Sequence, residues 1–247
     1  VLFNREKNTF EKFNDNGVLD YIRDIEVDEF GNLWLASSNG ITIFDPLKKL
    51  FVKQIRSEPN NPNGPISNNI TTLFREKNGI IWATTYSNAV TKITYNRNLD
   101  LSFENLKEII RDKKGNAVKS MMKDSKGNIW ISTFEGIGIY NSVTGKIFAI
   151  RASGNNPYSL KENGVNTVFE DRSGTIWIGH GTVGISKIKS NKGFHVLARD
   201  SDQQETLAGN NVMAIHTDKD GTLWANIVDG GIHKIDFHGN YDTYPSI

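Results

Sequence analysis

The chain of 247 residues contains no cysteine, which excludes a disulfide scaffold and any thiolate metal site. Proline and methionine are scarce, at 6 and 3 residues, and no stretch of about 18 consecutive apolar residues is present that would predict a membrane span. No sign of charge dominates, because 29 basic residues face 28 acidic ones. Without a basic run, the sequence gives no electrostatic reason to expect nucleic acid as a partner.

Tryptophan is rare but regularly placed. The five tryptophans are separated by 48, 48, 47 and 47 residues: Trp34, Trp82, Trp130, Trp177 and Trp224. A fixed period of this size indicates a chain built by repeating one supersecondary unit. Residues that recur in every unit are therefore expected to be structural.

A turn precedes each tryptophan. An acid lies six residues before the Trp and a glycine three residues before it, as in DSKGNIW from Asp124 to Trp130. Glycine tolerates the positive φ of a tight hairpin, and the acid can accept hydrogen bonds from nearby backbone N–H groups. We therefore interpret the turn aspartates as structural rather than metal-binding or catalytic: Asp28, Asp124, Asp171 and Asp218. The second repeat has Glu76 at this position.

Four short strands are predicted in each repeat. In the third repeat they are VKSMMKD, IWIST, GIGIY and IFAI, all rich in β-branched or apolar residues. Such a unit is typical of a β-propeller blade. One fragment, NLKEII from Asn105 to Ile110, is instead expected to be helical.

The predicted fold is an all-β propeller with five complete four-stranded blades and a leading half blade. We expect one domain over residues 1–247, with the half blade at 1–16 and blades at about 17–66, 67–114, 115–161, 162–208 and 209–247. Because the chain begins at Val1 and a half blade exposes an edge, we expect a fragment of a larger, seven-bladed propeller.

The repeats resemble a known family. The segment VKSMMKDSKGNIWISTFEGIGIY, from Val118 to Tyr140, resembles the two-component regulator propeller repeat, and links such as NNPYSLKENGVNTVFED resemble that family's connections between blades. The resemblance implies the periplasmic sensor region of a hybrid histidine kinase that responds to polysaccharide breakdown products. It also implies a homodimer formed through the full-length receptor, and membrane attachment only through segments outside this chain.

Variable loops between the second and third strands are the predicted functional surface, because loops on a rigid scaffold commonly carry binding. An aromatic face with acids and amides nearby suits a sugar, which offers a stacking face and hydroxyl groups. The ligand-binding candidates in these loops are Tyr86, Phe134, Glu135, His180 and Asp229. In the fourth repeat Gly179-His180 replaces the usual Gly-Thr.

A second set of candidates begins each innermost strand: Arg23, Thr71, Lys119, Asn166 and Met213. Arg23 and Lys119 would make the channel mouth mildly cationic, which favours an acidic sugar or a carboxylate.

No catalytic or cofactor motif is visible. The five histidines form neither an HExxH nor an HxH spacing, and there is no GxSxG or glycine-rich phosphate loop, so we expect no metal, no cofactor and no catalytic residue.

Three functions remain open. The preferred hypothesis is a non-enzymatic periplasmic sensor that binds an oligosaccharide. The second is a propeller that serves as a protein-docking or dimerisation platform. The third is an enzyme similar to the streptogramin lyases, whose blades carry the same D-x-x-G-x-[IVL]-W pattern; that resemblance would imply a metal-assisted histidine, with His216 and His233 as candidates.

Overall fold

The computed structural model describes residues 2–11, 21–58, 61, 64–86, 89–106, 118–153, 159–189, 193–197, 207–235 and 241–245. Strands and turns account for the regular structure of these residues, which contain no helix. The chain divides into two compact units, Val1–Leu106 and Lys107–Ile247, which are described separately. The prediction of one domain stays a prediction.

The first unit holds one two-stranded and two four-stranded sheets. The two-stranded sheet pairs Leu2–Asn4 (β1) with Thr9–Glu11 (β2). The first four-stranded sheet contains Ile22–Val27 (β3), Leu33–Ser37 (β4), Gly40–Asp45 (β5) and Leu50–Ile55 (β6). The second contains Ile70–Glu76 (β7), Ile80–Thr85 (β8), Val90–Tyr95 (β9) and Leu101–Leu106 (β10).

The second unit holds three four-stranded sheets. The third sheet contains Ser120–Lys123 (β11), Asn128–Thr133 (β12), Gly136–Asn141 (β13) and Ile147–Ile150 (β14). The fourth contains Val165–Glu170 (β15), Ile176–His180 (β16), Ile185–Lys189 (β17) and Gly193–Leu197 (β18). The fifth contains Val212–Thr217 (β19), Leu223–Ile227 (β20), Gly231–Ile235 (β21) and Tyr241–Tyr244 (β22).

Every four-stranded sheet is an antiparallel meander, in which each strand pairs with the next one along the chain. The half blade and the five complete blades predicted from the repeat are therefore confirmed. The helical prediction is wrong for Asn105 and Leu106, since they pair with Thr91 and Val90 in a strand. The Asn105 side chain accepts a hydrogen bond from Thr91 Oγ1 at 2.7 Å and donates one to Gly64 O at 3.0 Å, which holds it in the sheet. The rest of that fragment lies outside the described residues.

The sheets pack face to face within each unit. We call the face of each four-stranded sheet that carries its Trp the outgoing face, and the opposite face the incoming face. In the first unit Trp34 and Ile41 of the first sheet share one core cluster with Leu73 and Ile81 of the second. In the second unit Trp130 packs in the same way with Val168. A blade therefore buries its apolar faces only with neighbouring blades, as expected for a repeat architecture.

Candidate functional site

The turn acids bind the tryptophans of their own repeats. In all five repeats the indole Nε1 donates a hydrogen bond to the acid six residues earlier: Trp34 to Asp28 at 3.0 Å, Trp82 to Glu76 at 3.0 Å, Trp130 to Asp124 at 2.8 Å, Trp177 to Asp171 at 2.7 Å and Trp224 to Asp218 at 3.0 Å. The acid therefore connects the turn to the core, which is a structural role.

The aspartates also organise the turn itself. Asp124 Oδ1 accepts from the backbone N–H groups of Lys126 and Asn128, at 3.0 and 2.7 Å. Burial raises the pKa of Asp124, but the hydrogen bonds from Trp130 and Asn128 outweigh it, and the net pKa is below the ordinary value. The carboxylate is thus held in its charged form.

The second repeat departs from this pattern. Its acid, Glu76, pairs with Ile80 inside the strand ladder, so the turn contains only three residues. Asn78 and Gly79 both take positive φ, at 66° and 69°. The longer glutamate side chain compensates for its position and still reaches Trp82. The sequence departure at this turn therefore changes the loop and keeps the indole bond.

The candidate residues lie at the opposite end of each sheet, which we call the loop end: the end where the second strand finishes and the first begins. In three repeats a hydroxyl side chain finishes the second strand and bonds to a backbone oxygen just past the loop or at its end. Ser37 donates to Gly40 O, Thr85 to Ala89 O and Thr133 to Gly136 O. These bonds hold the loop that follows in a tight turn.

Tyr86 is an exposed aromatic residue at the loop end of the second sheet, in the first unit. It follows β8, and its side chain is 50% exposed. The Arg23 guanidinium lies 5.1 Å from the centre of the Tyr86 ring. Arg23 also donates to Ile70 O at 2.9 Å and to the Asn69 side chain. The structure therefore brings together the two predicted site residues of this unit.

Phe134 takes the equivalent position in the second unit. Its side chain is 49% exposed, and Lys119 Nζ lies 4.2 Å from the ring centre. Glu135, which follows, is half-buried, and its backbone N–H donates to Thr133 Oγ1 at 3.0 Å. Three predicted residues, Lys119, Phe134 and Glu135, thus meet at the loop end of one sheet.

His180 differs from its predicted place in a loop. It is the last residue of β16, and its side chain is fully buried because it occupies the position of the hydroxyl residues Ser37, Thr85 and Thr133. Its Nε2 lies 2.8 Å from Ser186 Oγ, and its Nδ1 lies 4.0 Å from Glu162 Oε1. The negative carboxylate favours the tautomer with the proton on Nδ1, so that Nε2 accepts from Ser186. A ligand at the surface would not touch this ring.

Burial decides the charge of His180. Desolvation lowers its pKa to about 4, and the nearby Glu162 raises the pKa by less. Glu162 was not predicted as a site residue; it accepts hydrogen bonds from the Thr182 backbone at 2.7 Å and from the Thr182 hydroxyl. These bonds fix the loop that follows β16. No motif in the sequence indicates this pairing, because Glu162 belongs to the link between blades.

Asp229 lies in the turn between β20 and β21, where it is exposed and has a φ of 57°. Aspartate tolerates this left-handed conformation better than most residues. Its carboxylate is therefore presented to solvent at the loop end of the fifth sheet.

Four of the five residues predicted at the start of the innermost strands lie at a bulge. The strand register shifts at Arg23, Thr71, Asn166 and Met213, so each is left out of the pairing with the second strand. A bulge redirects a side chain, and here it aims two of them at the next sheet. Arg23 donates to Ile70 O, and Asn166 donates to Val212 O at 2.9 Å. Sequence reasoning located these positions but not the contact between blades.

Two acids on β3 protect the edge of the next sheet. Asp24 Oδ2 accepts from the Leu73 N–H at 2.7 Å, and Glu26 Oε1 accepts from the Arg75 N–H at 3.3 Å. Burial is the largest influence on Glu26 and raises its pKa above the ordinary value. Acids of one blade thus satisfy donors on the free edge of its neighbour.

The two histidines considered for catalysis do not share a site. His216 is exposed and pairs with Trp224, whereas His233 is buried and pairs with Ala225. Trp224 and Ala225 are neighbours on one strand and point to opposite faces, so the two histidine rings lie on opposite sides of the fifth sheet.

Across the described ranges no three His, Asp or Glu side chains are grouped to hold a metal ion. Nor does any described segment form a helix long and apolar enough to span a membrane.

Comparison with known proteins identifies the repeat. Residues 112–135 and 159–182 match the family described as two component regulator propeller. Two segments of the chain therefore match two-component regulator propeller repeats. This confirms the resemblance seen in the sequence. No curated protein matches the chain.

Solved structures confirm the propeller fold of these repeats. The extracellular domain of BT3049, described as a hybrid two component system of B. thetaiotaomicron, matches 95% of this chain at 20% identity and a TM-score of 0.73. The chain spans 32% of the length of that protein. Virginiamycin B lyase from Staphylococcus aureus matches 91% of this chain, over 69% of its own length, at 15% identity and a TM-score of 0.63. PorZ of Porphyromonas gingivalis matches 97%, over 42% of its own length, at 16% identity and a TM-score of 0.68.

Proposed function

We propose that this chain is the ligand-sensing part of an extracytoplasmic receptor in a hybrid two-component system. The observation that carries the proposal is the match of two repeats to the two component regulator propeller family. The similarity to the extracellular domain of BT3049 agrees with it. The sensor acts in the periplasm, has no catalytic activity of its own, and signals through a histidine kinase in a longer, dimeric protein.

The proposed ligand is an oligosaccharide released from a polysaccharide. Tyr86 and Phe134 each present half of an aromatic side chain to solvent, at equivalent loop positions of separate units. A cation lies over each ring, at 5.1 and 4.2 Å from its centre, where the ring quadrupole attracts it. A sugar can stack its C–H face on such a ring, and beside Phe134 the Lys119 and Glu135 side chains can bind its hydroxyl groups.

Sensing requires that the ligand distinguish two arrangements of the receptor. A ligand that binds both equally well shifts nothing, however tightly it binds. The Arg23 side chain contacts both Tyr86 and the backbone of Ile70 on the neighbouring sheet. Ligand contact with Tyr86 therefore acts on a residue that joins two blades of the first unit.

A thermal-shift screen against oligosaccharides tests the proposal, followed by calorimetric titration of each hit. Phe134→Ala and Tyr86→Ala should each weaken binding by roughly fivefold, on the order of 1 kcal/mol for a lost stacking contact. Phe148→Ala is the matched control, because Phe148 is a 58% exposed phenylalanine on β14. A library without any hit, or equal losses in all three variants, would contradict the proposal.

The lyase hypothesis retains one observation in its favour, the similarity in fold to virginiamycin B lyase. It predicts turnover of a cyclic depsipeptide that His233→Ala abolishes. The burial of His233 and its separation from His216 favour the sensor instead.

A further inference from the structure

Arg23 connects the first two sheets at their loop ends. Its guanidinium donates hydrogen bonds to Ile70 O at 2.9 Å and to the Asn69 side chain. These bonds cross from the first sheet to the second, whose outgoing and incoming faces pack together in one core cluster. One role of this side chain is therefore structural, as a clamp between neighbouring blades.

The equivalent clamp in the second unit carries no charge. Asn166 holds the position of Arg23 in the fourth sheet and donates to Val212 O at 2.9 Å and to Asn211 Oδ1 at 3.2 Å. In both units the acceptors are the first carbonyl oxygen of the next innermost strand and the asparagine side chain before it. A neutral amide thus makes the same two bonds. The clamp does not require the positive charge of Arg23.

No described carboxylate neutralises this charge. Arg23 is half-buried, and in the described ranges it makes two hydrogen bonds and one ring contact but no ion pair. The adjacent acid binds elsewhere, since Asp24 Oδ1 accepts from the Ile25 N–H and Oδ2 from the Leu73 N–H. A cation that is partly removed from water is stabilised by an anion. The two bonds of the clamp use Nη1, so that Nε and Nη2 can donate to a ligand.

An arginine over an aromatic ring is not by itself a binding site. In the same unit the Arg97 guanidinium lies 5.5 Å from the centre of the Phe30 ring. Arg97 is exposed, so water solvates its charge, and it lies in the turn between β9 and β10, away from the loop end. Arg23 differs because its charge is half-buried and lies beside Tyr86, at the end of the sheets where the ligand is proposed to bind.

We propose that Arg23 and Tyr86 bind a uronic acid residue of an acidic oligosaccharide. The inference rests on the proposed function and names the class of its ligand. A planar guanidinium binds a carboxylate through two parallel N–H···O bonds. Tyr86 is 50% exposed and provides an apolar surface for the C–H face of the same sugar. The charge of Arg23 thus selects the acid, and the ring of Tyr86 selects the sugar.

Paired oligosaccharides test this selection. Calorimetric titration compares trimers of galacturonate, glucuronate and mannuronate, each with the neutral trimer made by reducing its carboxyl groups to alcohols. At least one acidic trimer should bind roughly tenfold more tightly than its reduced form, as expected for a charge-assisted hydrogen bond. A sulfated galactose trimer is the further arm, and its tighter binding than every uronate would overturn the assignment to a carboxylate.

The same titrations separate this inference from the sensor proposal. If neutral trimers bind as tightly as the acidic ones, or only neutral sugars of the wider library bind, the acidic ligand is wrong and the oligosaccharide sensor stands. If no saccharide binds at all, both are overturned.

Arg23→Gln removes the charge and keeps an amide that can donate as Asn166 does. Affinity for the acidic trimer should fall by roughly tenfold, whereas affinity for the reduced trimer should change by less than about twofold. Arg97→Gln is the matched control, because it removes the same charge from an arginine over a ring and should change neither affinity. Thermal unfolding of each variant measures the loss of the clamp separately. Equal losses for the acidic and the reduced trimer in Arg23→Gln would show that Arg23 only holds the blades together and would overturn the proposal.

Discussion

Asp28 accepts the indole hydrogen bond of Trp34 through Oδ2 and two backbone hydrogen bonds, from Phe30 and Asn32, through Oδ1. One carboxylate thus joins the hairpin turn to a fully buried tryptophan. The same relationship recurs in the other aspartate repeats. It explains why an acid and a Trp stay six residues apart while the loops at the other end of each sheet vary.

The first prediction concerns this carboxylate in the third repeat. Asp124→Ala removes the bond to Trp130 Nε1 and leaves a buried indole donor without its partner. We expect the free energy of unfolding to fall by about 2 kcal/mol, as for a lost hydrogen bond to a charged group. Urea denaturation measures it. Lys126→Ala, in the same turn but exposed, should change stability by less than about 0.5 kcal/mol.

Acid should weaken the same turns together. Hydrogen bonds from Trp224, above all, lower the pKa of Asp218, and those from Ser173 and Trp177 outweigh burial to lower the pKa of Asp171. A lowered pKa means that the stabilisation is complete above the ordinary value of 3.8 and is lost as the pH falls below it. Thermal unfolding followed from pH 5 to pH 2 should show this loss, whereas a stability that rises on acidification would contradict it.

His180 should give the stability a second pH dependence, in a higher pH range than the aspartates. Its folded pKa is about 4 and its ordinary value is 6.5, so the unfolded chain binds the proton more readily. Stability should therefore fall as the pH decreases from 6.5 to 4, by roughly 3 kcal/mol in total. His180→Thr restores the hydroxyl found at Thr85 and Thr133 and should remove this part of the slope. An unchanged slope in the variant would assign the effect elsewhere.

The loop that carries Phe134 is expected to require glycine at position 136. Gly136 has a φ of 120°, and a Cβ there would lie 2.3 Å from Ile150 O. Gly136→Ala should lower the free energy of unfolding by at least about 2 kcal/mol, because both the conformation and the space exclude it. Gly145→Ala is the control: its φ is 66° but no atom lies within 4 Å, so only the smaller conformational strain applies, at about 1 kcal/mol. Denaturation curves of the two variants give the comparison.

Much of the fold is predictable because the repeat carries it. The period of the tryptophans, the glycine turns and the alternation of small and large residues sufficed to predict five meanders and a half blade. A propensity argument failed at Asn105, where pairing with Thr91 overrides a helical composition. The candidate site is harder to predict from the sequence, because the contact of Arg23 with Ile70 depends on a bulge and on a neighbouring sheet. His180 shows the same limit, because only the strand register reveals that its ring points inward.

The most direct test of the central claim maps ligand contacts residue by residue. The loop ends are proposed to bind the ligand, whereas the acid–tryptophan turns at the opposite ends are structural. With a saccharide hit in hand, backbone amide shifts in NMR titrations should change at Tyr86, Phe134, Glu135 and Asp229 and stay constant at Gly31, Gly127 and Gly221. Shifts that concentrate at those glycine turns and spare the loop ends would contradict it.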